Sequence, residues 1–177
     1  MDEITLVDYD DQWPTLFAQE KALVLDALTQ QNIATIEHFG STAIRCLIAK
    51  PIIDIMILVP DLRIARKAFP ERLRALEYKY WADNPKTDRL FFVKGMPPFG
   101  RRRSHHIHVG EAGGALSERV KFCDFLNKNA DKRQEYARLK QQAALDHADD
   151  REAYTDAKAD FITTIMQEIE ALEKAVS

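Results

Sequence analysis

The 177-residue chain contains few cysteines and few glycines, two and six respectively. Cys46 and Cys123 are too few for a disulfide-rich scaffold and do not form a C-x-x-C motif. No run approaches the roughly 20 apolar residues that a membrane-spanning helix requires. Residues 1–3 also have neither the basic nor the apolar region of a signal peptide. We therefore expect a cytoplasmic protein with reduced thiols, in which the rare glycines mark specific turns.

An excess of charge of one sign is also missing, because 25 basic and 28 acidic residues give a net charge of -3. This balance predicts no general attraction to nucleic acid or to an anionic membrane. Aromatic residues of the kind that stack on bases do not accompany the arginine run 101–103. We expect a small nucleotide or another phosphorylated molecule as partner, and the sequence leaves a homo-oligomer open. The length predicts a single domain over residues 1–177 with a sizeable core.

Apolar periodicity predicts mixed strands and helices first and only helices afterwards. Strands are expected at 4–7, 33–39, 52–59, 78–81, 90–94 and 105–109. Helices are expected at 12–31, 41–49, 62–69, 70–76, 117–128, 131–147 and 151–175. Pro70 is predicted to divide one helical stretch, and Asp149 with Glu152 is placed like a capping box before the last helix. The pattern predicts an α+β fold with a sheet-containing part, about 1–112, and a helical part, about 116–177.

The first candidate site is the turn between the second and third predicted strands. Gly40-Ser41 ends the second strand, and Ser41 or Thr42 is expected to cap the next helix, whose N–H groups can contact a phosphate. Asp54 lies inside the apolar third strand, where an unpaired carboxylate is costly. It should therefore meet a cation or several hydrogen-bond donors. A structural ion pair with Lys50 or an arginine is the alternative explanation.

The second candidate site is the pair His106 and His108. Residues two apart on a strand face the same side, so both imidazoles can point at one metal ion or one phosphate. Neutral imidazoles suit zinc, manganese or iron better than magnesium. Two surface histidines are an equally good interpretation. His105 should face the opposite side, and His38, beside the Gly-Ser turn, is either a further site residue or a core histidine.

Two further groups are candidates for contacting an anion. Arg101 and Arg103 lie in the loop before the histidine strand, and guanidinium groups match phosphate oxygens. A solvated loop is the alternative interpretation. Tyr154 and Lys158 lie four residues apart on a predicted helix and share a face. They either pack against the protein or close over a ligand.

Together these segments resemble the GrpB family, which belongs to the nucleotidyltransferase superfamily that includes DNA polymerase beta. The resemblance covers nearly the whole chain. It is strongest at Glu37-His38-Phe39-Gly40-Ser41-Thr42-Ala43, where Glu37 is a further candidate, and at 49–55. It continues through 106–109, 122–126, 136–140 and 154–158. The resemblance implies a small mixed β-sheet with flanking helices and a helical C-terminal part.

In active members of the superfamily, the Gly-Ser turn holds a nucleoside triphosphate, and acids on two strands bind two magnesium ions. The resemblance assigns Asp54 to the first acid. Met56 stands where the second acid would be, and His106 and His108 stand where a third might be expected. This departure leaves one divalent ion, magnesium or manganese or else zinc, held by Asp54 with histidine help.

Three functions fit these patterns. In the first, which we expect, a nucleotidyl group moves from a nucleoside triphosphate to a small acceptor, and a histidine is a metal ligand or general base. Lys50 or the arginine loop then neutralises phosphate charge. In the second, the chain is a non-catalytic module that binds a nucleotide or phosphorylated ligand, as the missing acid at position 56 favours. In the third, the C-terminal helices bind a partner through a large exposed apolar patch.

Overall fold

The computed structural model describes residues 4–29 and 32–176, which form α-helices, strands and one short 3-10 helix. In chain order these are α1 (Trp13–Ala27), β1 (Thr35–Phe39), the 3-10 helix (Ser41–Ala43), β2 (Ile53–Val59), α2 (Leu62–Arg74), β3 (Tyr78–Tyr80), β4 (Arg89–Lys94), β5 (His105–Glu111), α3 (Arg119–Lys128), α4 (Ala130–Asp146), α5 (Arg151–Asp156) and α6 (Ala159–Val176). Within these residues, every helix falls short of the length and apolar character needed to span a membrane.

The strands form one mixed sheet in the order β1-β2-β5-β4-β3. β2 and β5 run parallel, whereas the other neighbours are antiparallel. The register of β2 with β5 pairs Asp54 with His106 and Met56 with His108. Because paired residues on neighbouring strands point the same way, these four side chains lie on one face of the sheet.

Each face of the sheet packs against a different set of helices. On one face, Ile55 and Ile107 join an apolar cluster with Phe69 of α2 and residues of α1. On the other face, Leu58 joins a second cluster with Ile165 of α6 and residues of α3 and α4. β2 is therefore covered on both sides, which explains its nearly continuous apolar sequence.

Near the N-terminus, two expectations need correction. The predicted strand 4–7 is wrong, since only Val7 forms an isolated bridge with Ala49, with N–O distances of 2.9 and 3.0 Å. Ile4 instead packs against Ala143 and Tyr154 of the C-terminal helices, which gives its side chain an apolar partner away from the sheet. The predicted helix 12–31 is α1, which ends at Ala27, and residues 30 and 31 lie outside the described residues.

The predicted helix 41–49 is also wrong, because only the 3-10 turn Ser41–Ala43 forms. Ile44 is already extended. The Asn127 side chain accepts the Arg45 N–H at 2.9 Å and donates to the carbonyl of residue 43 at 3.1 Å, so these backbone groups have partners outside a helix. Gly40 takes the N-cap position, and no side chain caps the turn.

Three helix boundaries differ from the prediction as well. α2 continues through Pro70, because its apolar stripe on both sides of the proline packs on the sheet. The cap of α5 is Asp150 rather than Asp149, and its carboxylate accepts two N–H groups of the first turn. The predicted helix 151–175 is two helices, α5 and α6, which separate at residues 157 and 158.

Candidate functional site

A cavity of about 470 Å³ opens on the sheet face that carries Asp54. Its floor is formed by Asp54, His106 and His108 from the adjacent strands β2 and β5. Ser41 of the turn and residues of α4, α5 and α6 form its walls. The cavity therefore lies between the sheet-containing part and the helical part of the chain.

The Asp54 carboxylate contacts both histidines of the floor. Its Oδ1 lies 3.0 Å from His106 Nδ1 and 3.7 Å from His108 Nε2. One potential ligand atom from each residue lies within 4.8 Å of the other two. Two imidazoles and one carboxylate are a ligand set found at catalytic zinc sites and at non-haem iron sites. The three residues can thus hold one divalent ion.

The electrostatics of the floor favour a charged Asp54 beside a neutral His108. Burial alone would raise the pKa of Asp54, but the hydrogen bond with His106 and the nearby His108 imidazole outweigh this effect and hold the pKa well below its usual range. Burial lowers the pKa of His108, and the nearby Asp54 charge only partly opposes this shift. A neutral imidazole keeps a lone pair for a ligand.

His106 has one nitrogen that no described residue satisfies. Nδ1 contacts Asp54, whereas the buried Nε2 has no hydrogen-bond partner among the described side chains and backbone groups. The Phe91 ring lies 5.0 Å from the His106 ring and 4.6 Å from the His108 ring, between centroids. A buried polar atom without a partner is costly, and its presence is consistent with a ligand position.

The turn at Gly40 packs directly against this floor. Gly40 has φ 76° and ψ -168°, and a Cβ atom there would lie 2.6 Å from Asp54 Oδ2. Only glycine suits both the conformation and the close approach. The thiol of Cys123 contacts the Gly40 carbonyl at 3.6 Å. Burial raises the pKa of this thiol to about 12. Cys123 is therefore a neutral packing residue.

Lys50, Lys140 and Lys158 form a basic part of the cavity lining. The Nζ atoms of Lys50 and Lys158 lie 4.7 and 3.2 Å from the centre of the Tyr154 ring. Lys140, which is 1% exposed, donates to the carbonyl of Ile48. Burial, followed by repulsion from neighbouring cations, lowers the pKa of Lys50 to about 8 and the pKa of Lys140 and Lys158 to about 7.

The structure brings together most of the residues that the sequence singled out. The cavity is lined by Ser41, Lys50, Asp54, His106, His108, Tyr154 and Lys158. Gly40 lies against Asp54. The predicted shared face of the two histidines is correct, and the carboxylate meets histidines rather than a structural lysine or arginine pair.

His38 and Thr42 belong to the other side of the sheet. The His38 ring stacks on Phe17 of α1 at 4.8 Å, and its Nε2 lies 2.9 Å from Thr42 Oγ1. Burial lowers the pKa of His38 to about 4, so this ring is a neutral, hydrogen-bonded packing residue at pH 7. His105 also faces away from Asp54, as predicted, and contacts the Ser104 hydroxyl at 3.1 Å.

Three other predicted residues do not line the cavity. Arg101 is exposed and Arg103 is half-buried, and neither lines the cavity. The positive charge of Arg103 still contributes to the lowered pKa of Lys50, but less than burial and the charge of Arg151 do. Glu37 is exposed on the edge strand β1, in register with Met56. These three side chains therefore lie outside the group around Asp54.

Lys140, Arg89 and Arg119 line the cavity but were not singled out from the sequence. Lys140 had a signal, because it shares a buried helical stripe with Tyr136 and Ala143, where a lysine is unusual. The two arginines had none, since nothing near them in the sequence distinguishes them from solvated residues.

Met56 occupies the position near Asp54 on β2 at which the resemblance leads us to expect a second acid. It lies on the same sheet face, is 1% exposed and belongs to an apolar cluster with Phe39 and Leu58. The described residues thus offer ligands for one ion at this floor, and they do not fit a pair of magnesium ions bridged by several carboxylates.

Comparison with known proteins places these features in a family. A family model described as GrpB protein matches residues 3–168. A UPF0157 protein from Pseudomonas aeruginosa is 41% identical over 165 residues, which are 93% of this chain and 67% of that protein. The crystal structure of the conserved protein GrpB from Enterococcus faecalis is similar with a TM-score of 0.83 and 26% identity, covering 98% of this chain and 100% of that chain.

A more distant structure is that of Cid1 in complex with its short product ApU. It has a TM-score of 0.53 and 16% identity, and the match covers 88% of this chain and 48% of that chain. At this identity the likeness concerns the fold alone. With the mixed five-stranded sheet and flanking helices, it confirms the predicted α+β fold of the nucleotidyltransferase type.

Proposed function

The chain belongs to the GrpB family, and we propose that it transfers a nucleotidyl group from a nucleoside triphosphate to a small acceptor in a metal-dependent reaction. The observation that carries this proposal is the group of Asp54, His106 and His108, whose ligand atoms converge at the floor of a cavity in a nucleotidyltransferase-like fold. We further propose that residues 1–177 act as one domain, because both parts of the chain line the cavity. The two cysteines without a disulfide scaffold support the further proposal that this domain acts in the cytoplasm.

The donor set favours one divalent ion of the zinc or manganese class over magnesium, because two of the three ligands are imidazoles. When bound, such an ion supplies a Lewis acid that polarises a phosphoryl oxygen. The buried orphan nitrogen of His106 supports this assignment, since a ligand there would give it a partner.

The remaining residues have roles that follow from their positions. The turn at Gly40 and Ser41 holds Asp54 in place and presents backbone N–H groups to the phosphates. Lys50 and Lys158 line the same cavity and neutralise phosphate charge there. His106, oriented by Asp54 through Nδ1, keeps Nε2 available as a ligand or as the group that accepts the acceptor's proton.

Pyrophosphate release tests this proposal. The protein is incubated with each of four labelled nucleoside triphosphates, with magnesium, manganese or zinc, and with a panel of small acceptors. We expect release by the wild-type protein and by the control Asp83→Asn, an exposed loop residue, and a loss of at least about 100-fold in Asp54→Asn. Absence of release under every combination would contradict the proposal.

A non-catalytic nucleotide- or phosphate-binding module is the second candidate, and the buried Met56 favours it. It predicts that a triphosphate stabilises the protein without being cleaved, by about 2.7 kcal/mol at 100 times its Kd. For a partner-docking role, the described C-terminal helices offer little support. Leu145 and Leu172 are exposed there, but as single side chains on two different helices.

A further inference from the structure

We propose that Lys50, Lys140 and Lys158 form a polyphosphate-binding subsite that works without a metal ion. Their positive charge would replace that of the second ion, for which the described residues provide no ligands. That the natural ligand is the polyphosphate group of a nucleotide rests on the proposed function. Binding of a polyphosphate anion, however, requires no catalysis and can be measured separately.

The subsite is assembled from three separate segments of the chain. Lys50 precedes β2, Lys140 lies on α4, and Lys158 lies between α5 and α6, yet all three line the same cavity. Lys140 and Lys158 are 1% and 7% exposed. Lys50 and Lys158 lie over the Tyr154 ring, and Lys140 lies over the Tyr136 ring at 5.5 Å. This arrangement differs from a solvated charged surface, where each ammonium group would extend into water.

The protein itself only partly neutralises this group. Lys140 and Lys158 donate to backbone carbonyls, and the Tyr154 ring faces Lys50 and Lys158. Within residues 4–29 and 32–176, none of the three ammonium groups forms an ion pair with a carboxylate. Buried charges normally have such a partner, so the lysines lack one that an anion would supply.

Acidic and basic side chains of the neighbouring elements also act on the three lysines. Asp54 of β2 attracts Lys50 and Lys140, and Asp156 of α5 attracts Lys158. Arg103 and Arg151 add positive charge near Lys50. When all three lysines are protonated, their charge exceeds that of these two carboxylates, and a multiply charged anion bound beside them would favour the protonated forms.

Three separate ammonium groups also specify the form of the anion. Each offers N–H donors as a point charge, and a chain of two or three phosphates can reach more of them than one phosphate can. Ser41 lines the cavity next to the metal-ligand group, so such a chain could extend from the lysines toward Asp54. We therefore expect inorganic triphosphate to bind at least about tenfold more tightly than orthophosphate or sulfate.

Isothermal titration of the full chain with inorganic triphosphate in EDTA tests the inference. Binding should persist without metal, and Lys140→Met and Lys158→Met should each weaken it about tenfold or more. Lys67→Met is the matched control, because Lys67 is exposed on α2 at the other sheet face, and its affinity should equal that of the wild type. Asp54→Asn should tighten binding, since it removes a negative charge from the cavity while disrupting the metal site.

Circular dichroism checks folding, and if buried Lys140→Met does not fold, Lys158→Met and Lys50→Met decide the result. Failure of wild-type protein to bind triphosphate in EDTA would overturn the inference, as would unchanged affinity in the lysine variants. Nucleotidyl transfer with metal-dependent triphosphate binding would leave the proposed function and remove the subsite. Metal-free binding without pyrophosphate release would support the subsite and contradict the transfer reaction.

Discussion

Replacement of Gly40 by alanine tests whether the turn positions the Asp54 carboxylate. Gly40 has φ 76° and ψ -168°, a region that is essentially restricted to glycine. A Cβ atom would lie 2.6 Å from Asp54 Oδ2 and 3.1 Å from Asp54 Cβ. The substitution therefore strains the backbone and also forces the carboxylate to move.

The two effects have separate magnitudes. Backbone strain of this kind costs about 1–3 kcal/mol. Moving Asp54 disrupts its 3.0 Å hydrogen bond with His106, and a hydrogen bond to a charged group contributes about 1.5–3 kcal/mol. We expect Gly40→Ala to lower the free energy of unfolding by about 3–5 kcal/mol. Gly113→Ala is the matched control, because Gly113 has φ 80° but no atom within 4 Å of the added Cβ.

Urea unfolding at pH 7 and calorimetric titration with zinc or manganese provide the two measurements. Gly40→Ala should be less stable than Gly113→Ala by about 1.5 kcal/mol or more, and it should bind the ion at least about tenfold more weakly. Gly113→Ala should bind the ion like the wild type. Equal stability and equal ion affinity in the two variants would show that Gly40 does not hold Asp54 in place.

Three more substitutions test other parts of the structure. His38→Gln should reduce the loss of stability between pH 7 and 5. The imidazole has a pKa of about 4 in the folded protein, so the unfolded chain binds a proton first as the pH falls. This difference lowers the free energy of unfolding of the wild type by on the order of 2 kcal/mol at pH 5. The same decline in both proteins, measured by urea unfolding at the two pH values, would contradict this. Pro70→Ala should raise the free energy of unfolding, measured by urea titration, by about 1 kcal/mol, because α2 gains a backbone hydrogen bond. The control Pro14→Ala, at the start of α1, should change it little, and equal effects of the two substitutions would refute the explanation. Met56→Asp should destabilise the ion-free protein by about 3–5 kcal/mol, and manganese should restore part of this stability. Met56→Leu should show neither effect. A melting temperature of Met56→Asp that does not depend on the ion would contradict a ligand position at residue 56.

The sequence predicted the members of the floor better than their arrangement. Period two along a strand placed His106 and His108 on one face, and the cost of a buried carboxylate predicted a partner for Asp54. That the partner is the histidine pair depends on parallel pairing of β2 with β5, which are about 50 residues apart. Local propensity contains no information on this register. The register nevertheless decides the site, since a shift of one residue would turn every side chain of the strand to the other face.

The same alternation of side chains along a strand explains why His38 lies outside the site, although it is close to the Gly-Ser turn in the sequence. Phe39 is in register with Asp54, so Phe39 shares its face and His38 must point to the opposite one. The predicted helix after Ser41 was wrong for a different reason. Asn127, 82 residues away along the chain from Arg45, satisfies backbone groups there, and a tertiary contact of this kind overrides local helical preference.

The side chains around Asp54 determine what kind of molecule the cavity attracts. Met56 and the two histidines add no negative charge that would repel a phosphate chain, and lysines line the same cavity. The whole chain has a net charge of -3, yet the cavity lining contains more basic than acidic side chains. A concave site with such an excess concentrates anions locally regardless of the overall charge. A methionine at position 56, where the resemblance implies a second acid, would therefore disfavour the binding of two ions and favour the proposed binding of a polyphosphate, and these opposite consequences separate metal-dependent chemistry from anion binding.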